Sequence, residues 1–363
     1  MAVRAGRDGV TVAPSLEALG ADASLLDELT ELLGASPPGA VAGRVSRVDR
    51  GRFQLLTAEG PVAVATTGVA PVCVGDWCIV LAPSPSDGHV DVGELLTVVP
   101  RRSTLIRQAS GSRTEPQALA ANIDVVLVLV PLDRSVLPRQ IERFLALAWD
   151  SGAQPILVLT KRDLVDDETA ATALAAVEAI SSDLEVITAS VVSGLGVDRI
   201  AGLVSRGTTV ALLGTSGAGK SSLVNALMGS DAVKTGEVRQ ADAKGRHTTT
   251  WRELVVVPTG GTLIDTPGLR ELGMWVDEEG IDAVFTDITD LEGQCRFNDC
   301  AHGNEPGCAV LAAIAAGELP AERLASYRKL LGEAADAAAE NDRRLTNQER
   351  KNSRQRSGGG GRR

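Results

Sequence analysis

The sequence predicts a multidomain chain: an N-terminal OB-like β-barrel, a central α/β domain and a mainly helical, cysteine-bearing C-terminal domain. Three observations lead to this fold class. Short β-type segments separated by glycine and proline occupy residues 41–99, apolar strands alternate with helical patterns from residue 122, and three of five cysteines lie within 295–308. With 363 residues the chain is too long for one ordinary domain, and 44% apolar residues can form several cores.

Composition excludes several classes of protein. No apolar run approaches the roughly 20 residues that span a bilayer, and the first residues lack the apolar segment of a secretory signal. An odd number of cysteines without an export signal favours a reducing cytoplasm over a disulfide framework. We therefore expect a cytoplasmic protein that is a monomer and has no membrane contact.

The N-terminal part divides into an extension and a barrel. Residues 1–37 are rich in Ala, Gly and Asp and predict a flexible extension, and the OB-like barrel is expected over 38–100. Only Phe53 and Trp77 could stack on bases there, so contacts with a nucleic-acid backbone or shape are favoured over base stacking. The predicted barrel strands are 43–48, 53–57, 62–66 and 77–81.

The central domain, expected over 101–283, has the pattern of a doubly wound parallel sheet. Residues 124–130 and 155–160 are continuous apolar runs, as in strands buried on both faces. Helical patterns alternate with such strands. The further predicted elements are helices 139–150, 169–181 and 197–205, strands 185–189 and 208–213, and a hairpin of strands 253–257 and 262–265.

Residues 214–221 match the phosphate-loop pattern G-x-x-x-x-G-K-[ST] between a predicted strand and a predicted helix. Backbone N–H groups of such a loop surround phosphates, Lys220 would reach the β- and γ-phosphates, and the Ser221 hydroxyl would ligate Mg²⁺. The alternative is a chance glycine turn, of which roughly 0.01 are expected in such a chain. The candidate nucleotide-binding residues here are Gly214, Thr215, Ser216, Gly217, Ala218, Gly219, Lys220, Ser221 and Ser222.

A base-specific element is predicted at Thr160, Lys161, Arg162 and Asp163, after a buried strand. This segment resembles the N/TKxD element of GTPases, in which the aspartate accepts two hydrogen bonds from guanine that adenine cannot donate. An exposed charged turn is the alternative. Ser190, after the next strand, is a weaker candidate for the loop that supports the base.

The residues 265–268 (DTPG) resemble the DxxG element of GTPases. Asp265 would hold Mg²⁺ through water, and the Gly268 N–H would contact the γ-phosphate. A switch-I threonine is expected within 245–250 (GRHTTT); three adjacent threonines leave the choice open, and Thr249 is preferred. The base loop here precedes the phosphate loop, so the order indicates a circularly permuted GTPase domain, which a fold with neighbouring termini tolerates.

The C-terminal domain, expected over 284–340, contains the pattern Cys-x₄-Cys-x-His-x₅-Cys. Cys295, Cys300, His302 and Cys308 would form a closed structural Zn²⁺ site. Free buried thiols or a redox pair are the alternatives. Cys73 and Cys78 are interpreted as core residues of the barrel.

Residues 341–363 form a basic tail with a local charge of +6, whereas the whole chain carries −11. Such a tail could reach a phosphate backbone. A disordered, solvated tail is the simpler interpretation and is the one expected here.

Together these features resemble the ribosome small-subunit-dependent GTPase A (RsgA) family over about residues 40–335. The specific motifs are 214–222 (GTSGAGKSS), 245–250, 265–268 and 297–308 (FNDCAHGNEPGC). The resemblance implies GTP hydrolysis to GDP stimulated by the small ribosomal subunit, a role late in that subunit's maturation with release on hydrolysis, and rRNA contact through the barrel and the zinc domain.

Two departures from common GTPase patterns affect the expectations. Thr160 replaces an asparagine whose amide would brace the phosphate loop, so modest nucleotide affinity is expected. Leu269 replaces a water-orienting glutamine, so unaided hydrolysis should be slow. His247 is the nearest candidate catalytic residue beside Lys220, and a solvated loop histidine is the alternative.

Other functions remain open from the sequence. An ATPase or small-molecule kinase could use the same phosphate loop, and ATP preferred over GTP would identify it. A non-enzymatic, nucleotide-gated rRNA-binding scaffold would show no stimulation of turnover by small ribosomal subunits.

Overall fold

The computed structural model describes residues 13–66, 71–82, 92–107, 117–180, 184–229, 253–265 and 278–358. The strands are β1 (Ala40–Asp49), β2 (Arg52–Thr57), β3 (Gly60–Ala65), β4 (Trp77–Leu81), β5 (Glu94–Val98), β6 (Thr104–Arg107), β7 (Gln117–Ala121), β8 (Val125–Pro131), β9 (Gln154–Thr160), β10 (Val186–Thr188), β11 (Thr209–Gly214), β12 (Glu253–Val256) and β13 (Thr262–Asp265). The helices are α1 (Ala23–Gly34), α2 (Pro138–Asp150), α3 (Asp167–Glu178), α4 (Val197–Leu203), α5 (Lys220–Met228), α6 (Glu278–Asp282), α7 (Thr286–Glu292), α8 (Ala309–Ala316) and α9 (Ala321–Gly358).

The N-terminal sheet has the order β3-β2-β1-β4-β5, with antiparallel neighbours. A parallel bridge between Val64 and Gly93 joins its two outer edges, so the sheet curves towards a barrel. Phe53 and Leu55 alternate with exposed neighbours on β2 and point into a core that includes Cys78. This arrangement confirms the predicted N-terminal antiparallel β-structure.

The structure differs from the predicted flexible extension at residues 13–37, which contain α1. Leu25 and Leu29, one helical turn apart, are buried against Trp77 of the barrel. The Asp22 carboxylate caps the helix by accepting from the Leu25 N–H at 2.8 Å. The abundance of Ala, Gly and Asp obscured this apolar stripe.

The central sheet has the order β10-β9-β8-β11-β13-β12, and all neighbours are parallel except β12 and β13. Alternate residues of β8 enter two cores: Val126 and Val128 face the side of α2 and α3, and Leu127 and Leu129 face α4 and α5. Apolar burial on both faces explains the continuous runs in the sequence and confirms the α/β fold. The carboxyl ends of β8, β9, β11 and β13 therefore meet at one edge.

A two-stranded sheet of β6 and β7 lies between the barrel and the central sheet in the chain. The sequence did not predict it, because the alanine-rich β7 has little intrinsic strand preference.

Arg44 of β1 connects the barrel to the central sheet. Its fully buried guanidinium donates to the carbonyl oxygens of Gly75, Leu19 and Asn122 and to the hydroxyl of Thr209, at 2.5–3.1 Å. Loss of hydration on burial lowers the pKa of Arg44 to about 10. The many hydrogen bonds offset part of the cost of burying this charge.

The C-terminal helices pack against α2 through Arg323 of α9. This guanidinium bonds Glu142 of α2 at 2.9 Å and Asp287 of α7 at 2.9 and 3.0 Å, and it lies 4.1 Å above the ring centre of Phe285. Arg323 and Glu142 are both buried, so this network fixes α9 on the central domain.

Helix α9 continues to Gly358 and so includes most of the segment that was predicted as a disordered tail. The sequence contains neither glycine nor proline from 333 to 357, so no helix-breaking residue interrupts α9 in this range. Residues 359–363 lie outside the described residues.

Candidate nucleotide site and metal centre

The loop between β11 and α5 has the conformation of a phosphate-binding loop. Gly214 has φ +148°, and a Cβ there would lie 2.6 Å from the carbonyl oxygen of Leu129, so only glycine fits. Gly219 (φ +93°) turns the chain into the first residue of α5. The loop thus places its backbone and a helix N-terminus at the carboxyl edge of the sheet, between β8 and β13.

Lys220 folds back over this loop. Its Nζ donates to the carbonyl oxygens of Gly214 at 2.6 Å and Thr215 at 3.0 Å. These two bonds hold the ammonium group at the loop, as a lysine that is to bind phosphates there requires. Ser221 follows on the first turn of α5.

Asp265 ends β13, in parallel register with Leu212 of β11. Its Oδ1 atom is buried, and in the described part of the chain it has no hydrogen-bond partner. Burial raises the pKa of the Asp265 carboxyl, an effect that the charge of Lys220 opposes. A buried, unpaired carboxylate oxygen beside the phosphate loop has the chemistry that a hydrated Mg²⁺ requires, so the residues present suit this ion.

Three predicted site residues, His247, Thr249 and Gly268, lie outside the described residues.

The predicted base loop and its supporting loop lie together at the neighbouring strand ends. The Ser190 hydroxyl donates to Asp163 Oδ1 at 2.5 Å, and the Arg162 N–H donates to the Ala189 carbonyl at 3.2 Å. Ser190 is 1% exposed, so the hydroxyl is fixed. The Arg162 side chain instead bonds the Val165 carbonyl and Asp167, at the start of α3.

Thr160 contacts the phosphate loop directly. Its hydroxyl donates to the Ala218 carbonyl at 2.7 Å, and both residues are buried. The threonine therefore supplies a brace in place of the asparagine amide, and modest nucleotide affinity stays a prediction.

Asp133 and Arg134, which sequence reasoning missed, follow β8 at the same edge. Asp133 Oδ2 accepts from Lys161 Nζ at 2.6 Å, and this hydrogen bond lowers the pKa of Asp133. Lys161 itself has φ +61°, an uncommon conformation for a lysine. The position of Asp133 directly after a buried parallel strand was the available signal.

The four residues of the cysteine–histidine pattern converge, and their ligand atoms lie within 4.8 Å of one another. Cys308 Sγ is 3.4 Å from His302 Nδ1, Cys295 Sγ is 3.7 Å from the same nitrogen, and these two sulfurs are 3.9 Å apart. A tetrahedral zinc ion needs separations of about 3.8 Å between sulfurs and about 3.5 Å between sulfur and nitrogen. The cluster could hold a metal ion, and its donor set suits zinc.

Glu292 orients the histidine of this cluster. His302 Nε2 lies 2.9 Å from Glu292 Oε1, which leaves Nδ1 facing the sulfurs. The buried Tyr327 hydroxyl donates to the same Glu292 oxygen at 3.3 Å and to Asp282 at 3.0 Å. A carboxylate behind a ligating histidine is a common feature of metal sites.

Backbone N–H groups support the thiols. The Ala309 N–H points to Cys295 Sγ and the Leu311 N–H to Cys308 Sγ, each at 3.4 Å. Burial opposes ionisation of Cys295, but backbone N–H donors, that of Ala309 among them, lower the pKa of Cys295 overall, and the thiolate is the form that binds metal.

No helix in the described ranges is long and apolar enough to cross a membrane.

The RsgA GTPase family model matches residues 98–275. An ABC transporter model also matches, over 197–356; that range includes the phosphate loop, which ATPases share, but it excludes Lys161 and Asp163.

The relatives cover most of the chain. A small ribosomal subunit biogenesis GTPase RsgA of Streptomyces avermitilis is 49% identical over 85% of this chain and 83% of its own length. The RsgA protein of Methanosarcina acetivorans is 39% identical over 81% of this chain and 79% of its own.

Solved structures show the same fold. YjeQ from Thermotoga maritima superposes with a TM-score of 0.61 at 24% identity and covers 82% of this chain and 99% of its own. YloQ, described as a circularly permuted GTPase, superposes with a TM-score of 0.58 at 24% identity over 82% of this chain and 96% of its own. The order of the motifs and the extent of these relationships agree, and the chain therefore belongs to the RsgA family of GTPases.

Proposed function

We propose that this chain hydrolyses GTP to GDP and phosphate on the phosphate loop at 214–221 and acts late in the maturation of the small ribosomal subunit, which it leaves after hydrolysis. The observation that supports guanine specificity is the hydrogen bond between Ser190 and Asp163 beside that loop. The names of the relatives support the ribosomal role.

Different residues would bind the base and the phosphates of the nucleotide. Asp163 accepts hydrogen bonds from guanine, with Ser190 holding the carboxylate and Lys161 lying over the base. Backbone N–H groups of 214–219 bind the phosphates, Lys220 neutralises the β- and γ-phosphate charge, and Ser222 follows on the helix. Gly268 would contact the γ-phosphate.

Ser221, Asp265 and Thr249 would hold Mg²⁺, an ion that neutralises charge on the β- and γ-phosphates when bound. His247 would orient the attacking water, because Leu269 has no polar group to do so. Lys220 would stabilise the charge that develops on the β–γ bridging oxygen of GTP as the γ-phosphoryl group is transferred to water.

We also propose that one structural Zn²⁺ is bound by Cys295, Cys300, His302 and Cys308. All four positions of a tetrahedral ion are then filled by protein, so the zinc would stabilise the fold and take no part in hydrolysis.

The proposed macromolecular partner is the small subunit with its rRNA, contacted by the barrel (38–100) and the zinc domain (284–340) on either side of the GTPase domain (101–283). We propose a monomer in the cytoplasm. Only Phe53 and Trp77 are aromatic in the barrel, and both are buried, which supports contact with the rRNA backbone or shape.

The test compares GTP and ATP turnover of the full chain with and without purified small ribosomal subunits. We expect GTP to bind far better than ATP and small subunits to accelerate GTP hydrolysis. Preference for ATP would favour another phosphate-loop enzyme, and GTP turnover unchanged by small subunits would favour a nucleotide-gated rRNA-binding scaffold.

A further inference from the structure

The loop at 132–137, between β8 and α2, brings an arginine to the phosphate loop. The Leu132 N–H donates to the Thr160 carbonyl at 3.0 Å, which fixes the start of this loop beside the base element. Pro138 opens α2 at its other end. Arg134 is therefore anchored from both sides at the carboxyl edge of the sheet.

The guanidinium of Arg134 lies against the outer turn of the phosphate loop. Its Nη1 donates to the Ser216 carbonyl at 3.2 Å. Its Nη2 lies 3.1 Å from the position that a Cβ of Gly217 would take. The glycine thus leaves room for the arginine in the middle of the segment that surrounds phosphates.

The charges around Arg134 leave the rim of the loop positive. Asp133 is bonded to Lys161 at 2.6 Å and more weakly to Arg134 at 3.4 Å, so one carboxylate serves two cations. The Arg134 side chain is 48% exposed, so a ligand in solution can reach its guanidinium. A guanidinium has several N–H donors in a planar fork, and this geometry matches phosphate oxygens.

We propose that Arg134 is a nucleotide-binding residue that contacts the phosphate chain from the outer side of the phosphate loop. This inference rests on the proposed nucleotide site and adds to it an arginine supplied by the chain itself. Lys220 holds the phosphates from the inner side, and Arg134 holds them from the rim. Its contribution is to affinity, because the guanidinium already lies against the phosphate loop.

The experiment measures dissociation constants of a fluorescent non-hydrolysable GTP analogue and of GDP for Arg134→Gln, Arg134→Lys and the wild type at low and high KCl. Glutamine removes the charge and lysine keeps it, so the two variants separate the electrostatic contribution from that of the planar guanidinium. Arg139→Gln removes an exposed charge from the first turn of α2, next to this loop, and is the matched control. Thermal unfolding without nucleotide shows whether each variant is folded.

We expect Arg134→Gln to weaken binding of the GTP analogue about 10-fold, as for loss of a charged hydrogen bond, with a smaller loss for the lysine variant. The loss should shrink at high KCl because salt screens the charge, and kcat at saturating GTP should stay near the wild-type value. Affinity of folded Arg134→Gln equal to that of Arg139→Gln would overturn the inference, as would normal affinity with reduced kcat. Failure of the wild type itself to bind GTP would instead contradict the proposed function.

Discussion

The hydroxyl of Thr160 donates to the carbonyl oxygen of Ala218 at 2.7 Å and joins the end of β9 to the phosphate loop. The bond is buried, where hydrogen bonds are strong and costly to leave unmade. Thr160 directly precedes Lys161 and lies three residues before Asp163, so the element that would recognise guanine and the loop that would hold phosphates are fixed relative to each other. One hydroxyl thus replaces the asparagine amide common in GTPases.

Replacing Thr160 with valine should weaken GTP binding about 5-fold to 10-fold, because the buried Ala218 carbonyl loses its partner at a cost of at least about 1 kcal/mol. Thr160→Asn should bind GTP at least as well as that valine variant. Titration with a fluorescent GTP analogue measures both. Thr172→Val, on the exposed face of α3, is the control, and an equal effect of the two valine substitutions would contradict the bracing role.

The sequence predicted those parts of the site in which the residue types, at short spacing, indicate the chemistry. Glycines around Lys220 and cysteines around His302 indicate phosphate and metal binding at short spacing. Arg44 and Glu142 were not found, since their partners Thr209 and Arg323 are 165 and 181 residues away, and no local pattern reports such a contact.

The predicted elements were accurate where burial on one or both faces determines the pattern, as in β8 and α2. The N-terminal helix α1 was missed, because the prediction followed the overall content of Ala, Gly and Asp in residues 1–37 and not the helical spacing of Leu25 and Leu29. The surface that buries these leucines belongs to β4, and only the folded chain brings the two together.

For Asp265→Asn, we expect Mg²⁺-dependent GTP turnover to fall by about 10²-fold or more, as for loss of a group that positions charge in the transition state. The metal-free protein should be as stable as the wild type or more so, because the substitution removes a buried charge, one oxygen of which has no hydrogen-bond partner among the described residues. Turnover across a Mg²⁺ titration and chemical unfolding in EDTA give the two readouts. Lys220→Ala and Ser221→Ala should also abolish hydrolysis, and full Mg²⁺-dependent turnover by Ser221→Ala would refute the assignment of the phosphate loop.

The metal centre should contain about one zinc per chain by elemental analysis. Cys300→Ala should lose the metal and unfold the segment around it while GTP binding persists. Glu292→Gln should weaken zinc binding about 10-fold to 100-fold in a chelator competition, since it disturbs the orientation of His302. Asp299→Asn, at an exposed carboxylate of the same loop that is not a zinc ligand, is the control. A metal-free chain with this region fully protected in hydrogen exchange would contradict the structural role of zinc.

His247→Ala should retain GTP binding and lose roughly 10²-fold or more of the turnover measured with small ribosomal subunits, as expected when a water-positioning group is removed. Single-turnover hydrolysis with saturating subunits isolates this step. Turnover equal to that of the wild type would assign His247 to the solvated surface of its loop.

The last prediction concerns communication between the C-terminal helices and the nucleotide site. Arg323 of α9 bonds Glu142 of α2, and both side chains are buried. Helix α2 follows the loop that places Arg134 against Ser216. A displacement of α9 by a bound ribosomal subunit would therefore be transmitted to the phosphate loop through the packing of α9 on α2. This connection is separate from the 26 residues that link Gly268 to Cys295 in the chain.

Glu142→Gln should keep the shape of this contact and remove its charge. An exposed ion pair, Arg143 with Glu333, joins the same two helices, so Glu333→Gln is a matched control; surface pairs contribute only about 0–1 kcal/mol.

We expect the wild type to bind small subunits more tightly with a non-hydrolysable GTP analogue than with GDP, and linkage requires the subunit to favour GTP over GDP by the same factor. Glu142→Gln should reduce that ratio several-fold while GTP affinity without subunits changes little, and Glu333→Gln should leave it unchanged. Sedimentation measures the subunit affinities in the two nucleotide states and so gives this ratio for each variant. Equal affinities in the wild type would remove the switch altogether, and an unchanged ratio in Glu142→Gln would mean that the signal travels through the segment after Gly268.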